Sequence, residues 1–376
     1  MPINDQYTGT KKRHHREPLI RIARRLRTSQ RQAWFFNLCS VPLSLLVGAA
    51  LIALLGHNPL TVYEEMFRSA FGRASMFAET ANIAIQLLIT GISVSLAFRM
   101  QFWNIGGEGQ IMFGAMAASY FALFQSENFS PVVLVLLMFL SAALAGGFAG
   151  LIPAIFKAKW GTNEILFTLM INYISFAIAK YLQHGPWKAQ GSAFPKIGMF
   201  PESSRLVTVA GIHWGWIFAL LLAVFSWIYL NKSKQGYEIT VVGESNETAR
   251  YAGMNVNWVF IRTIFISAAL AGIAGFFQVA GSHYTYSETT SGGIGFTAVS
   301  VAYLAKLNPI VIVFTSLFIA TLTRGADRIQ TKFKIPVSAA NILIGLIMLF
   351  LLAGEFFANY KLVIRSHKEV AHEQCD

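Results

Sequence analysis

Two amides and one carboxylate stand close together just before a long apolar run. They are Asn104, Glu108 and Gln110, in the stretch N-I-G-G-E-G-Q that precedes I-M-F-G-A-M-A-A. A carboxylate can act as a general acid or base, but at a helix N-terminus it also accepts hydrogen bonds from free N–H groups and is favoured by the helix dipole. We predict the second role, in which Glu108 caps and braces a short helix that begins here. Three glycines allow a tight, close-packed turn before that helix: Gly106, Gly107 and Gly109.

A second group of polar side chains falls on one face of a predicted helix. Their spacing of i, i+4, i+8 and i+11 forms one stripe: Asn82, Gln86, Thr90 and Ser93. Other amides and hydroxyls lie inside apolar runs further along: Asn172, Tyr173, Ser338 and Asn341. For any single residue, a hydrogen bond between packed helices explains its place equally well, at about 0.6 kcal/mol each. The stripe as a set favours a continuous polar wall.

Catalytic and metal-binding constellations are absent from the sequence. His184, His213 and His283 are separated by 29 and 70 residues, which matches no metal-ligand spacing. The two cysteines, Cys39 and Cys375, provide no disulfide framework. No G-x-x-x-x-G-K-[ST] loop occurs, so the chain has no P-loop for ATP. We therefore expect no catalytic residues, metal or cofactor in this chain.

The composition shows which solvent surrounds these elements. Of the 376 residues, 55% are apolar and 13% are charged, about half of the roughly 25% charged residues of an ordinary soluble domain. We predict an all-α polytopic membrane protein with about ten spans: 34–55, 80–98, 110–124, 131–156, 164–182, 213–230, 258–281, 294–305, 309–323 and 336–357. Three of them are shorter than the roughly 20 residues that a straight crossing needs: 110–124, 294–305 and 309–323.

Positive charge indicates the orientation. Residues 1–33 hold nine Lys and Arg residues against two acidic ones. Such a run before a first span is typical of a cytoplasmic anchor on anionic membrane lipid rather than of nucleic-acid binding. Ten crossings leave both termini cytoplasmic, with tails at 1–33 and 359–376 around one domain at 34–358. The basic segment 324–334 then lies outside; if 294–305 does not cross, that segment is inside and the C-terminus is outside.

Two loops are long enough to carry function. The outer loop 183–211 is rich in Pro, Gly and Ser, which predicts irregular structure or a short helix. The inner loop 231–257 contains a helix signal, because Ser245 is a good N-cap and Gly253 a good stop. We predict a small cytoplasmic helix over 246–252. It is more typical of a helix that docks on a soluble partner than of one that rests on lipid.

Three motifs stand out along the chain: N-I-G-G-E-G-Q at 104–110, G-T-N-E-I-L-F-T-L-M-I-N-Y at 161–173, and G-Y-E-I-T-V-V-G-E-S-N-E-T-A-R-Y-A-G at 236–253. Together they resemble the permease subunits of bacterial ABC importers. The resemblance is to the branch that imports nucleosides, which is related to the ribose-type sugar permeases, and it extends from about Gln86 to Gly354. It implies a type II importer fold in the bacterial cytoplasmic (inner) membrane.

The resemblance also implies partners. Two related but different permease chains pair around a central pathway, an external binding protein delivers the solute, and separate ATPase domains bind ATP and Mg. The predicted inner helix becomes the coupling helix that contacts the ATPase, with these residues: Gly243, Asn246, Ala249, Arg250, Tyr251, Ala252 and Gly253.

Roles for the polar residues follow from the resemblance. The candidate wall of the translocation pathway is Asn82, Gln86, Thr90, Asn104, Gln110, Asn172, Tyr173 and Asn341. Glu108 and its three neighbouring glycines become structural residues near the inner gate. Outer arginines that match in loop position are candidates to dock the binding protein: Arg68, Arg73, Arg324 and Arg328. A simple-sugar permease is the alternative. An ion-coupled secondary transporter is disfavoured, because no predicted span has an acidic residue near its middle.

Overall fold

The computed structural model describes residues 20–24 and 30–364. Within these ranges the chain forms helices and four short strands: β1 (Ile20–Arg24), α1 (Gln30–Leu54), α2 (Pro59–Phe71), α3 (Ala74–Arg99), α4 (Gly107–Phe124), α5 (Pro131–Trp160), α6 (Glu164–His184), β2 (Thr208–Val209), β3 (Ile212–His213), α7 (Gly215–Lys232), α8 (Lys234–Glu244), α9 (Asn246–Tyr251), α10 (Val256–Phe277), α11 (Ile294–Leu304), α12 (Pro309–Phe333), α13 (Val337–Asn359) and β4 (Tyr360–Ile364). A 3₁₀-helix at Glu202–Ser204 and a π-helix at Gln278–His283 complete the set.

Each of the ten predicted apolar segments coincides with a helix, and two further helices lie outside the predicted set. Helix α2 follows the first predicted span; Asn58 caps it and Pro59 occupies its first turn. Helix α8 forms in the inner loop 231–257, directly before the helix predicted over 246–252. The hydroxyl of Ser233 accepts a hydrogen bond from the Gly236 N–H at 3.0 Å and starts α8.

Among the described residues, seven helices are long and apolar enough to cross a membrane. An eighth results if the later part of α1 and α2, which meet at 113°, form one broken span. Helix α11 has only 11 residues, about 16 Å of helix, and is too short to cross alone. The count of ten crossings therefore stays a prediction.

The core of residues 45–348 is built around α3 and α10. In their most apolar windows 78% and 67% of residues are buried, against 28% in α6 and α7. Helices α4, α5 and α10 approach so closely that only glycine fits at their contact. A Cβ at Gly272 would lie 2.2 Å from the carbonyl oxygen of Ala142, and one at Gly114 would lie 2.3 Å from that of Gly272. Small residues at helix contacts are typical of membrane proteins, where close backbone packing replaces the hydrophobic effect.

Helix α3 defines two opposite ends of this body. At the end of α3, a Cβ on Gly243 would lie 2.3 Å from the carbonyl oxygen of Arg99, so α8 lies against that terminus; we name it the α9 end. Near the start of α3, Asn82 donates to the carbonyl of Gly211 in the turn between β2 and β3, at 3.1 Å; we name it the hairpin end. The predicted coupling helix and the predicted outer loop thus lie at opposite ends of the body.

The described residues within 1–44 and 349–376 form a separate compact unit. Within it β1 pairs antiparallel with β4, so that Ile20 lies opposite Ile364 and Arg24 opposite Tyr360. Most of the predicted basic tail 1–33, and residues 365–376 of the predicted C-terminal tail, lie outside the described residues.

Candidate functional site

Glu108 lies in the first turn of α4, but its carboxylate caps a different helix. Oε1 accepts a hydrogen bond from the Gly293 N–H at 2.7 Å, and Oε2 accepts one from the Gly295 N–H at 2.6 Å. The side chain is buried, and Gly293 itself has no side chain with which to cap α11. The predicted cap is therefore present, but it closes the N-terminus of α11 and not that of α4.

Glycine is required where α4 and α11 meet. A Cβ at Gly295 would lie 2.3 Å from the backbone nitrogen of Glu108, and Gly293 has a left-handed φ of 79°. Other residue types would either clash with α4 or be strained in the turn. The carboxylate is thus held at the start of a short helix inside the protein, where two backbone N–H groups neutralise it.

The amides around Glu108 hold the turn that leads into α4. Asn104 and Gln110 are buried and donate to each other's side-chain oxygens, both at 3.1 Å. Asn172 of α6 accepts from the Gly109 N–H at 2.8 Å and donates to the Ile105 carbonyl at 3.0 Å. We call these residues, with Glu108, the inner brace. Three candidate pathway residues (Asn104, Gln110 and Asn172) thus use their side-chain amides for hydrogen bonds within this chain.

The remaining pathway candidates are dispersed. Tyr173, next to Asn172, is 66% exposed on the outer face of α6. Asn341 is exposed on α13 and has no hydrogen-bond partner within the described part of the chain. Thr90 is fully buried in α3, and its hydroxyl has no partner among the described residues.

A polar cavity of about 400 Å³ lies at the hairpin end, and we name it the outer cavity. It brings together two residues of the predicted stripe and the end of the π-helix: its lining is Glu79, Asn82, Ile83, Gln86, Gly211, Gly281, Ser282, His283 and Tyr284. Gln86 donates to the Ser282 hydroxyl at 3.2 Å, which joins α3 to the π-helix. The deeper stripe residue Ser93 instead bonds to Ser267 of α10.

Ser282, His283 and Tyr284 were not among the predicted site residues. They directly follow the predicted span 258–281, and the only sequence signal was the polar run S-H-Y-T-Y-S-E at its end. The structure turns this run back over α3, because α10 continues into a π-helix and Tyr284 has a left-handed φ of 53°. π-Helical segments frequently occur at functional sites.

The histidines at this end differ in their surroundings. Among the described residues, no group of three His, Cys, Asp or Glu side chains could hold a metal ion. His213 is fully buried and stacks on Phe277, with ring centroids 5.5 Å apart. Its ring is part of the packing beneath the π-helix.

The four arginines predicted to lie outside the membrane have two kinds of surroundings. Arg324 forms an ion pair with Glu79, and Arg328 binds Glu65 of α2 at 3.2 Å beside Lys332. These contacts place the basic segment 324–334 at the hairpin end, where it neutralises acidic residues of this chain. Arg68 and Arg73 are exposed and have no acidic partner within the residues that the structure describes.

At the α9 end, the predicted coupling helix is present with its predicted caps. The Ser245 hydroxyl accepts from the Thr248 N–H at 3.2 Å, and Gly253 ends the turn with a φ of 76°. Ala249 is fully buried against this chain, whereas Tyr251 is 93% exposed. The exposed surface of α9 is therefore polar and aromatic; its other exposed members are Asn246, Glu247, Thr248 and Arg250, and exposed Ala252 follows directly after the helix.

An ion pair secures this end to the core. Arg262 of α10 binds Glu238 of α8 at 3.1 Å, and both side chains are largely buried. Together with the close approach of Gly243 to Arg99, it ties α8 to α10 and α3.

Comparison with known proteins identifies the family. The family described as the permease component of branched-chain amino acid transport systems matches residues 76–352. The chain belongs to this permease family. A glucose ABC transporter permease protein of Haloferax volcanii is 30% identical over 85% of this chain and 87% of its own length. A guanosine ABC transporter permease protein of Bacillus subtilis is 30% identical, over 83% and 91%.

A nucleoside ABC transporter permease protein of Lactococcus lactis is 28% identical over 84% of this chain and 89% of its own length. The chain is therefore a multi-pass permease subunit of an ABC transporter, similar to permeases of nucleoside and sugar transporters. Such a subunit is a transport component, and the resemblance read from the three motifs is confirmed.

Proposed function

We propose that this permease forms part of the translocation pathway for nucleosides or related ribosides in an ATP-driven importer. The observation that carries the proposal is the outer cavity, which combines amide, hydroxyl and aromatic groups in about 400 Å³. Ligand pockets of roughly 300–1,000 Å³ with a few convergent polar groups are typical of small-molecule sites. The similarity to guanosine and nucleoside permeases supports this class of solute.

The groups of the outer cavity suit the two halves of a nucleoside. Asn82, Gln86 and Ser282 offer donors and acceptors that can pair with ribose hydroxyls. Tyr284 and His283 offer flat rings against which a base can stack. A neutral solute needs no buried charge, which agrees with the ion pair that neutralises Glu79 at the rim.

Helix α3 provides a route from the ATPase to this cavity. Asn82 and Gln86 lie near its start, and Arg99 at its end packs against Gly243 of α8. Asn82 and Arg99 are separated by about 25 Å along one continuous helix. Displacement of α8 and α9 by a separate ATPase, which would bind ATP and Mg, would therefore move the wall of the outer cavity.

We assign the other partners to the sides of the membrane that the resemblance implied. We place α9 on the cytoplasmic side of a bacterial inner membrane and the hairpin end outside, beside a substrate-binding protein. Arg68 and Arg73 are the better candidates for docking it, since Arg324 and Arg328 have partners within this chain. A second, related permease would complete the pathway, and exposed Tyr173 and Asn341 are candidates to face it.

Reconstitution in proteoliposomes tests the proposal. Proteoliposomes that contain the permease pair, its ATPase and its binding protein should take up labelled guanosine only when ATP is supplied on the side of the ATPase. Unlabelled nucleosides should compete, and glucose should not. Uptake on an ion gradient without the ATPase would contradict the proposal.

Variants of the outer cavity give the sharper test. Gln86→Ala and Ser282→Ala should each lower kcat/KM for guanosine by roughly two- to tenfold, the effect of one lost hydrogen bond. Ser95→Ala is the matched control, since Ser95 lies on the same helix, donates to the Ile92 carbonyl of that helix and does not line the cavity. Equal rates in all four proteins would exclude the cavity from the pathway.

Sugar import is the second candidate function. It is favoured by the glucose permease of Haloferax volcanii, which is as similar to this chain as the guanosine permease, at 30% identity. A simple sugar would use the amides and hydroxyls of the cavity but would not need a ring to stack on a base. Uptake of glucose or ribose that Tyr284→Leu leaves unchanged would favour this alternative.

A further inference from the structure

A second, apolar groove of about 640 Å³ lies at the hairpin end, outside the outer cavity. Its walls are aliphatic and aromatic residues from α5, α7 and the end of α10: Val132, Val135, Leu136, Phe139, Phe218, Phe276 and Phe277. The polar residues of its lining belong to the 3₁₀-helix and to the residue that follows it: Glu202, Ser203 and Arg205. The lining of the groove is therefore mostly apolar, and its charged and hydroxyl groups come from one short segment.

The helices that form the groove face a hydrocarbon environment. Only 33% of the spanning window of α5 and 28% of that of α7 are buried. Beyond the groove, α5 exposes Leu140 and Leu144, and α7 exposes Leu221 and Phe225. In a multi-pass permease these surfaces lie at the depth of the lipid tails, so the groove opens towards them.

Tryptophans mark the polar end of the groove as the membrane interface. Trp214, which lines the groove, and Trp216 are 45% and 44% exposed. Tryptophan is enriched at the level of lipid head groups, where its apolar ring contacts lipid and its N–H group contacts water. Ser203 and Arg205 lie at this same end.

We propose that the groove binds one acyl chain of a bilayer phospholipid, with the head group beside Ser203 and Arg205. The dimensions favour a chain over a protein helix. A helix about 10 Å across that filled 640 Å³ would be only about 8 Å long, roughly five residues. A flexible, narrow chain fits such a groove, and a zwitterionic head group matches a polar end that carries both Arg205 and Glu202.

The floor of the groove connects it to the outer cavity. Phe277 stacks on His213, and a Cβ on Gly281 would lie 2.6 Å from the His213 ring. Arg205 lies over the ring of Tyr284 at 5.2 Å and donates to the Phe200 carbonyl at 2.7 Å. A bound acyl chain would therefore stabilise the positions of the π-helix and Tyr284 through Phe277, His213 and Arg205.

Lipid retention tests the proposal independently of the transported solute. The purified complex in nanodiscs would be labelled with a phosphatidylethanolamine that carries a photoactivatable group on its acyl chain. We expect labelling on the α5 peptide in the wild-type protein and in Leu144→Trp, and at least fivefold less in Leu136→Trp. Leu136 lines the groove, whereas Leu144 is exposed two turns further along α5 and does not.

Three outcomes would overturn the assignment. They are equal labelling of Leu136→Trp and the wild type, no labelling of α5 at all, and a cross-link from Leu136→Cys to the second permease, which would make the groove a subunit contact. Elution as a single species and an unchanged Tm show that each variant has folded. Ser203→Asp adds a head-group test: it should reduce labelling severalfold, because its charge would repel the lipid phosphate, whereas Thr208→Asp should not.

Discussion

Glu108 caps the helix that follows Gly293, which lies 185 residues further along the chain. The contact joins α4 to α11 in the interior of the protein. If these hydrogen bonds were removed, water could not replace them there. A charged side chain buried in a membrane protein is energetically costly unless neighbouring polar or charged groups interact with it. Here two N–H groups of the helix terminus satisfy it.

Removal of this carboxylate should destabilise the protein. Glu108→Gln keeps one acceptor and leaves one N–H opposite an amide NH₂, so we expect a loss of about 2 kcal/mol, and more for Glu108→Ala. The measurement is Tm in detergent, together with ATP-dependent uptake. Glu127→Gln, at an exposed site after α4, should behave as the wild type. An unchanged Tm for Glu108→Ala would show that the cap does not stabilise α11.

Two glycines in apolar helices should respond oppositely to alanine. Gly295→Ala should reduce the yield of folded protein, because its Cβ would lie 2.3 Å from the backbone of α4. Gly345→Ala meets nothing within 4 Å and should be neutral or stabilise by up to about 1 kcal/mol, since alanine favours helix. Yield after size-exclusion chromatography and Tm compare the two. Equal behaviour would contradict the close contact of α4 and α11.

A charge swap separates an internal ion pair from a docking residue. Arg324→Glu should lower uptake, and Glu79→Arg in the same chain should restore at least half of it, because the two side chains pair with each other. If Arg324 instead contacts the binding protein, the double variant will stay inactive. The binding protein's own affinity for solute serves as the control.

Docking of the binding protein should depend on Arg68 and Arg73, which have no acidic partner among the described residues. Arg68→Glu with Arg73→Glu should abolish uptake while Tm stays unchanged, because both side chains are exposed. Co-elution of the binding protein with the complex is the direct measurement. Normal uptake by this double variant would refute the docking role.

Coupling to the ATPase should depend on the exposed face of α9. Tyr251→Ala should keep the fold but uncouple ATP hydrolysis from uptake, since Tyr251 is 93% exposed. Ala249→Glu should prevent folding, because that side chain is fully buried. Co-purification of the ATPase and solute-stimulated ATP hydrolysis distinguish these effects. Asn257→Ala, exposed at the same end, is the control, and full coupling in Tyr251→Ala would count against the role of α9.

The sequence by itself determined the elements whose signals are local. Apolar runs predicted the long helices, and Ser245 with Gly253 predicted α9, because caps and stops act within a few residues. Local signals failed for α2 and α8. In α8 the glycines at 236 and 243 permit close packing on neighbouring helices rather than a turn.

Only the tertiary structure decided which polar residues meet. The sequence placed Glu108 at the start of α4, but the helix that it caps is 185 residues away. Asn104 and Gln110 are six residues apart and bond to each other, while the stripe of α3 divides between the outer cavity and α10. Helical periodicity fixes the face on which a side chain lies, but the partner of that face depends on how distant helices pack.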